Sequence, residues 1–211
     1  MYNINLNALQ QLAKLSPNND IRQRLNGVHV IITGSESRYE TTNGHYAVVY
    51  RNKFINPDNI NCLDIIIPRE VLIGIKLKKF FELATLSIEN SKYEITYVDG
   101  SYGFTPIDDK YPDLNLILPD PLQVDCVHPG QQFNPNYLLS INKCYQAITN
   151  KKEAFMQVQY NKDPKRAALM IGGDDLIAVI MPLRSDNNLG VPDWYKQKPE
   201  QPNTGLMTIA A

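Results

Sequence analysis

The sequence predicts an α+β fold made of three copies of one unit: a strand, a short helix, then two or three further strands (βαβββ). Three observations predict it. Strand-length runs rich in β-branched residues recur, most clearly over 28–33 and 63–67. Short segments with apolar residues at helical spacing stand among them, and two of these open at a proline, Pro68 and Pro135. Each helical segment is followed by strand-like segments punctuated by Gly, Asn and Asp turns. One such unit cannot cover its own sheet, so the copies are expected to pack side by side.

In the first copy, 2–6 opens as a strand. Leu6, Leu9, Leu12 and Ala13 then recur at helical spacing until Ser16-Pro17 ends the helix. Strands follow over 28–33, 38–42 and 46–51, around turns at Gly34 and Gly44. The second copy begins with the run 63–67. Pro68 suits a first helical position because its missing N–H has no partner to lose there, and Val71, Leu72 and Ile75 give the apolar stripe. Strands resume over 85–89, 93–98 and 102–106, and 108–119 closes the copy. In the third, Gln132-Phe133 ends a strand, Asn134 is an N-cap and Pro135 takes the first turn. Leu138, Ile141, Tyr145 and Ile148 share one helical face, and 155–160, 167–171 and 176–181 read as closing strands. Beyond Arg184 the composition shifts to Asn, Asp, Pro, Gln and Lys around Trp194, an irregular tail.

Net charge is −1 with 21 basic and 22 acidic residues, so overall charge does not draw the chain to nucleic acid. A DNA partner would require positive charge segregated on one surface. Cys62, Cys126 and Cys144 are odd in number, widely spaced and form no CxxC pair, so they suggest neither a zinc knuckle nor a disulfide framework and fit a reducing, cytoplasmic setting. The start lacks a basic segment followed by an apolar one, and no apolar run is long enough for a bilayer, so neither secretion nor membrane insertion is expected.

Four stretches resemble the bacterial DNA polymerase III beta sliding clamp family. Residues 20–27 (DIRQRLNG) are similar to its loop ending in Leu-Asn-Gly, and 42–47 (TNGHYA) to its Thr-Asp-Gly-His turn. Residues 66–69 (IIPR), with 111–113 (YPD) and 117–119 (ILP), resemble the close of its middle domain, and 179–184 (VIMPLR) its C-terminal Met-Pro-Met-Arg-Leu ending. The order and spacing agree from Met1 to about Ser185. The family's first domain and the first half of its last are absent, Ser185 replaces a leucine, and a tail follows. The resemblance implies a DNA-clamp fold with one complete clamp domain at 1–119, a half domain at 120–185 and the tail at 186–211.

The resemblance also implies two sites. Client proteins dock short hydrophobic peptides in the family's pocket, and its matched positions here are Leu25, Thr42, Gly44, His45, Tyr46, Ala47, Pro119, Val179, Met181, Pro182, Leu183 and Arg184. Met and Leu adapt to varied apolar anchors, and Gly44 permits close approach. From residue type alone, Val179 and Met181 would be strand core and Gly44 a turn. The second site is a set of cations on the three helices, which in the family face the DNA backbone. Arg69 and Lys76 lie seven apart, with Lys79 a turn onward; Lys14 and Lys143 sit on the other helices. Gln23 and Arg24 match the family's DNA-touching loop. Such contacts to phosphates carry no sequence code.

Catalysis has no visible home. Gly172-Gly173-Asp174-Asp175 superficially resembles a nucleotide-cyclase signature, but Gly and Asp are what a hairpin turn requires. Asp108-Asp109 reads likewise as a turn, Cys126 with His128 lacks a third ligand, and no GxxxxGK[ST] or GxSxG occurs. No cofactor is expected. Two functions fit: a homo-oligomeric clamp, a tetramer by count of half units, that tethers a polymerase to DNA; or a clamp mimic that binds client peptides without encircling DNA.

Overall fold

The computed structural model describes residues 1–33, 37–52, 62–76, 83–118, 124–125 (backbone), 131–163 and 165–183. Among them three βαβββ units follow one another: β1 (Tyr2–Asn5), α1 (Leu6–Leu15), β2 (Gly27–Ile32), β3 (Ser37–Thr42) and β4 (Tyr46–Arg51); β5 (Leu63–Pro68), α2 (Arg69–Gly74), β6 (Leu83–Glu89), β7 (Lys92–Tyr97) and β8 (Gly100–Phe104); then β9 (Val124–Asp125), α3 (Pro135–Thr149), β10 (Gln157–Asn161), β11 (Ala168–Gly172) and β12 (Leu176–Ile180). The α+β reading and its repeat therefore hold.

The strands form two antiparallel sheets. Four run in the order β1-β6-β7-β8 and eight in the order β5-β2-β3-β4-β12-β11-β10-β9. The first two copies exchange their opening strands. β1 of the first copy pairs with β6 of the second, and β5 of the second pairs with β2 of the first over six residues, Gly27↔Pro68 to Ile32↔Leu63. The third copy keeps its opening strand, since β9 lies against its own β10. The third copy is joined to the first by last strands: β4 pairs antiparallel with β12, from Tyr46↔Ile180 to Tyr50↔Leu176.

Period-2 alternation sends each strand's residues to two faces. Val28, Val30 and Ile32 of β2, Tyr46, Val48 and Tyr50 of β4, and Leu176, Ala178 and Ile180 of β12 share one core with Leu9, Leu12, Leu72, Ile141 and Ile148 of the helices. The helices stand in the order α2-α1-α3, because α1 touches both others. Gln10 donates to the carbonyls of Leu72 and Ile75 on one side, and Asn7 to that of Ala147 on the other. Ala47, Val49 and Val179 face the opposite way, into a smaller core closed by Tyr111 and Leu114. The segment from Ile107 to Leu118 thus covers the outer face, tied down where the Ile107 N–H donates to Ile66 (3.0 Å).

Helix ends follow their local chemistry. Asn5 caps α1 by accepting from the Ala8 N–H, and Asn134 caps α3 by accepting from that of Asn136, with Pro135 in the first turn. Two expectations are corrected. Pro68 is the last residue of β5 and precedes the helix, its ψ of 139° being extended; proline fixes φ alone, so it fits either side of the boundary. Gln132-Phe133 lies outside any strand, and the strand before α3 is β9, which is only two residues long. Gly34 and the tail from 186 onward lie outside the described residues. Among those described, no helix is long and apolar enough to cross a membrane.

Candidate functional site

On the outer face, where the first and third copies meet, the chain forms an open apolar cavity of about 380 Å³. One wall is the β3–β4 turn. The Asn43 carboxamide accepts from the N–H groups of His45 (2.9 Å) and Tyr46 (3.1 Å), while the Thr42 hydroxyl donates to the Tyr46 carbonyl (2.6 Å) and accepts from the Gly44 N–H (3.1 Å). Gly44 has φ +88°, and a Cβ there would lie 3.1 Å from the Arg22 guanidinium. Tyr46 is anchored below, its hydroxyl donating to the Leu15 carbonyl at the end of α1 (2.6 Å) and its ring edge-on to Tyr137.

The floor is Leu25, from the 3-10 turn Gln23–Leu25, with Val179 of β12 and Ala167 just before β11. Met181 forms the lip; its N–H donates to the His45 carbonyl (3.0 Å), so the chain leaving β12 stays against the turn. The facing wall is Pro112, Asp113, Leu114 and Ile117, wound into a 3-10 turn (Leu114–Leu116) that Asp113 caps by accepting from the Asn115 N–H. Met181 and Ile117 are 44% and 47% exposed, an unsatisfied apolar rim. Among the described lining residues, Arg22 brings a guanidinium. Asp20 holds it through two side-chain contacts (3.0 and 2.9 Å), and those hydrogen bonds pull the Asp20 carboxyl down to about 2.

Of the positions implied for peptide docking, Leu25, Thr42, Gly44, His45, Tyr46, Val179 and Met181 come together around this cavity. Ala47 does not line it and packs in the core behind. Pro182 and Leu183 run past the mouth, Leu183 half exposed with its N–H donating to the Gln132 carbonyl. Pro119 and Arg184 lie outside the described residues. The sequence reading missed Arg22, Pro112, Asp113, Leu114, Ile117 and Ala167, although the Tyr111-Pro112-Asp113 word had marked the right segment.

The implied DNA-facing cations divide. Lys14 and Lys143 are exposed on the outer surface of the helix row, across the eight-stranded sheet from the cavity. The pairing of Arg69 with Lys76 on one helical face is corrected: α2 ends at Gly74, and Ile75 is extended, so Lys76 lies beyond the helix. Arg69 is committed inward, its Nε donating to the Ser16 carbonyl (3.2 Å). Gln23 is exposed, whereas Arg24 makes a long ion pair with Asp109 (3.8 Å). Lys79 lies outside the described residues.

Beside the cavity, and sharing Pro112 and Asp113 with it, is a polar recess around His29. Nδ1 of His29 is 2.9 Å from buried Glu40 and Nε2 is 2.8 Å from exposed Asp64, while the Tyr111 ring stacks on the imidazole (4.6 Å between centroids). Arg38 stands 3.0 Å from the other oxygen of Glu40. Burial disfavours the charged imidazole, but the hydrogen bonds to Glu40 and Asp64 outweigh it and raise the His29 pKa.

The Gly172–Asp175 run is the β11–β12 hairpin turn. Gly173 takes φ +62°, and Gly172 lies under the Tyr145 ring, which a Cβ would meet at 2.9 Å. Among the described residues no three His, Cys, Asp or Glu side chains are grouped to hold a metal ion. Cys62 is exposed and Cys144 buried; Cys126 and His128 lie outside the described residues.

None of the protein-family models and none of the curated proteins matches this sequence. Solved structures do. A sliding clamp from Pseudomonas aeruginosa, crystallised with a ligand, superposes with a TM-score of 0.69 at 16% identity, over 87% of this chain and 66% of its own. The Bacillus subtilis sliding clamp gives 0.66 at 16% identity, over 87% of this chain and 64% of its own. The Streptococcus pyogenes polymerase beta subunit gives 0.65 at 13%, over 87% and 66%. The chain thus spans about two thirds of the length of these clamps, and what it shares with them at such identities is architecture: it has the fold of the bacterial DNA polymerase sliding clamps.

Proposed function

We propose that this protein is a non-catalytic, clamp-like docking platform whose outer cavity takes short apolar peptides from polymerase-type clients. The observation that carries this is the cavity itself. Seven of the positions implied for client docking surround it, its rim exposes Met181 and Ile117, and Arg22 offers a charge for a peptide carboxylate. A clamp-binding peptide would bind at about micromolar strength, near −8 kcal/mol. Met181→Ala and Ile117→Ala would each remove apolar contact worth about 1 kcal/mol, a several-fold loss. Calorimetric titration with a short polymerase-derived clamp-binding peptide tests this. Equal binding by the double variant, or no binding at all, contradicts it.

The reading extends to DNA held as bare charge against the helix row, with Lys14, Lys143 and Lys76 as contacts. Support comes from the placement of Lys14 and Lys143, exposed on neighbouring helices and away from the peptide cavity. We divide the chain into a complete unit at 1–119 and a half unit at 120–185, because the first two copies exchange opening strands and the third does not. A ring of twelve half units would take four such chains. A mimic that binds peptides without encircling DNA is the second reading, favoured by contacts that already engage Arg69, which donates to the Ser16 carbonyl, and Arg24, which pairs with Asp109 at the surface. Molar mass in solution separates the two.

A further inference from the structure

Among the described residues there is one seam in which two copies join by their last strands, and a third last strand that no other described strand pairs on its outer edge. At the seam, β4 and β12 pair over five residues, and their helix-side residues are sealed: Tyr46 7%, Val48 0% and Tyr50 6% exposed against Leu176 1%, Ala178 1% and Ile180 0%. The helices behind them, α1 and α3, close over the seam. β8 is the equivalent strand of the second copy. It too has five residues, pairs with β7 on one side and, among the described strands, ends the four-stranded sheet on the other. Its register, Tyr102 opposite buried Ile95, places Gly100, Tyr102 and Phe104 on the helix side, the parity of 46/48/50 and 176/178/180. Yet Tyr102 is 39% exposed, and so is Ile73 of α2, whose neighbour Gly74 lies against the Tyr102 ring.

Edge strands left to solvent usually carry a lysine, a proline or an inward charge that blocks pairing. Gly100–Phe104 carries none of these. What would satisfy it is a five-residue antiparallel last strand, and among the described residues both others are already paired with each other. We propose that β8 pairs antiparallel with β8 of a second copy of this chain across a two-fold axis, extending the four-stranded sheet through the contact. Centred on Tyr102, the pairing sets Tyr102 opposite its own symmetry mate and each Phe104 over the other chain's Gly100, an aromatic ring covering the bare backbone. The contact is isologous, so both strands gain the same cover. It does not depend on what occupies the outer cavity, which belongs to the other sheet. If the third copies also pair, each chain has two different two-fold contacts, which is what closing four chains requires.

The test is molar mass by light scattering on the 211-residue chain at tens of micromolar, with Tyr102→Glu, which sets two carboxylates against each other at the axis. The expected result is that the substitution halves the molar mass, whether from four chains to two or from two to one, with circular dichroism unchanged. Independently, Tyr102→Cys with Cys62 and Cys126 replaced by Ser should form an intermolecular disulfide on mild oxidation, because facing residues in an antiparallel pair lie about 4.5–5.5 Å apart. Asp174→Cys, on the remote β11–β12 turn, should not. A wild-type monomer overturns the proposal. So does an oligomer whose mass survives Tyr102→Glu, or one that gives no cross-link at position 102.

Discussion

Raising the pH through the titration of His29 should loosen the outer face of the eight-stranded sheet. With the imidazole charged, both ring nitrogens donate, one to buried Glu40 and one to exposed Asp64. A neutral ring has one N–H to give. Glu40 keeps it, being the oxygen that water cannot reach, so the loss falls first on Asp64, where exposure limits it to about 0.2–1 kcal/mol. Glu40 is then left in its buried site with Arg38 beside it, and weakening one hydrogen bond there adds about 1 kcal/mol. Because the folded pKa of His29 is raised above 6.5, this stabilisation is complete below pH 6.5 and is lost as pH rises through the folded value. A total of about 1–2 kcal/mol corresponds to a Tm lowered by about 2–8 °C in a chain of this size. The assay is urea or thermal unfolding from mildly acidic to mildly basic pH, for the wild type and His29→Gln, with the variant subtracting the other histidines. A wild-type stability flat across that range, or the same slope in His29→Gln, refutes the reasoning.

Three further perturbations follow from particular contacts. Gly44→Ala puts a Cβ at φ +88° and 3.1 Å from the Arg22 guanidinium, so it should cost about 1–2 kcal/mol in denaturant unfolding and weaken peptide binding by displacing Arg22. Gly172→Ala drives a methyl into the Tyr145 ring at 2.9 Å; melting should fall by several degrees, and adding Tyr145→Ala should recover part of that loss if the clash is the cause. Replacing Lys14, Lys76 and Lys143 together by Ala should flatten the salt dependence of any DNA binding while peptide affinity is unchanged, as read by fluorescence anisotropy at several ionic strengths.

Local rules were enough for much of the architecture. The Leu6, Leu9 and Leu12 stripe, the Asn134-Pro135 start and the Gly172–Asp175 turn each encode their own geometry, and the structure follows them. Two boundaries slipped where local chemistry permits two answers, at Pro68 and before α3. The exchange of β1 and β5 between copies is decided by pairing partners far apart in sequence, and no residue in either strand announces it. The cavity divides along the same line. The Thr42–Tyr46 turn is self-contained, since Asn43 and Thr42 fold it by their own side chains. Ala167, Leu114 and Arg22 join it only through tertiary packing. The Arg69–Lys76 pairing failed because a helical face was extended past Gly74. For His29 a signal existed: alternation from buried Val28 and Val30 sends it outward, and Asp64 is a lone charge in an apolar strand. What brings Glu40 and Tyr111 to it is the sheet register and the fold of the closing segment.

The claim that the outer cavity docks apolar client peptides is tested most directly by mapping backbone amide shifts while a short polymerase-derived clamp-binding peptide is titrated into the protein. Saturable changes are expected at Thr42–Ala47, Leu114–Ile117 and Val179–Leu183, with Gly100–Phe104 and the helix row unmoved. No saturable shift, or shifts centred on any other surface, would contradict it.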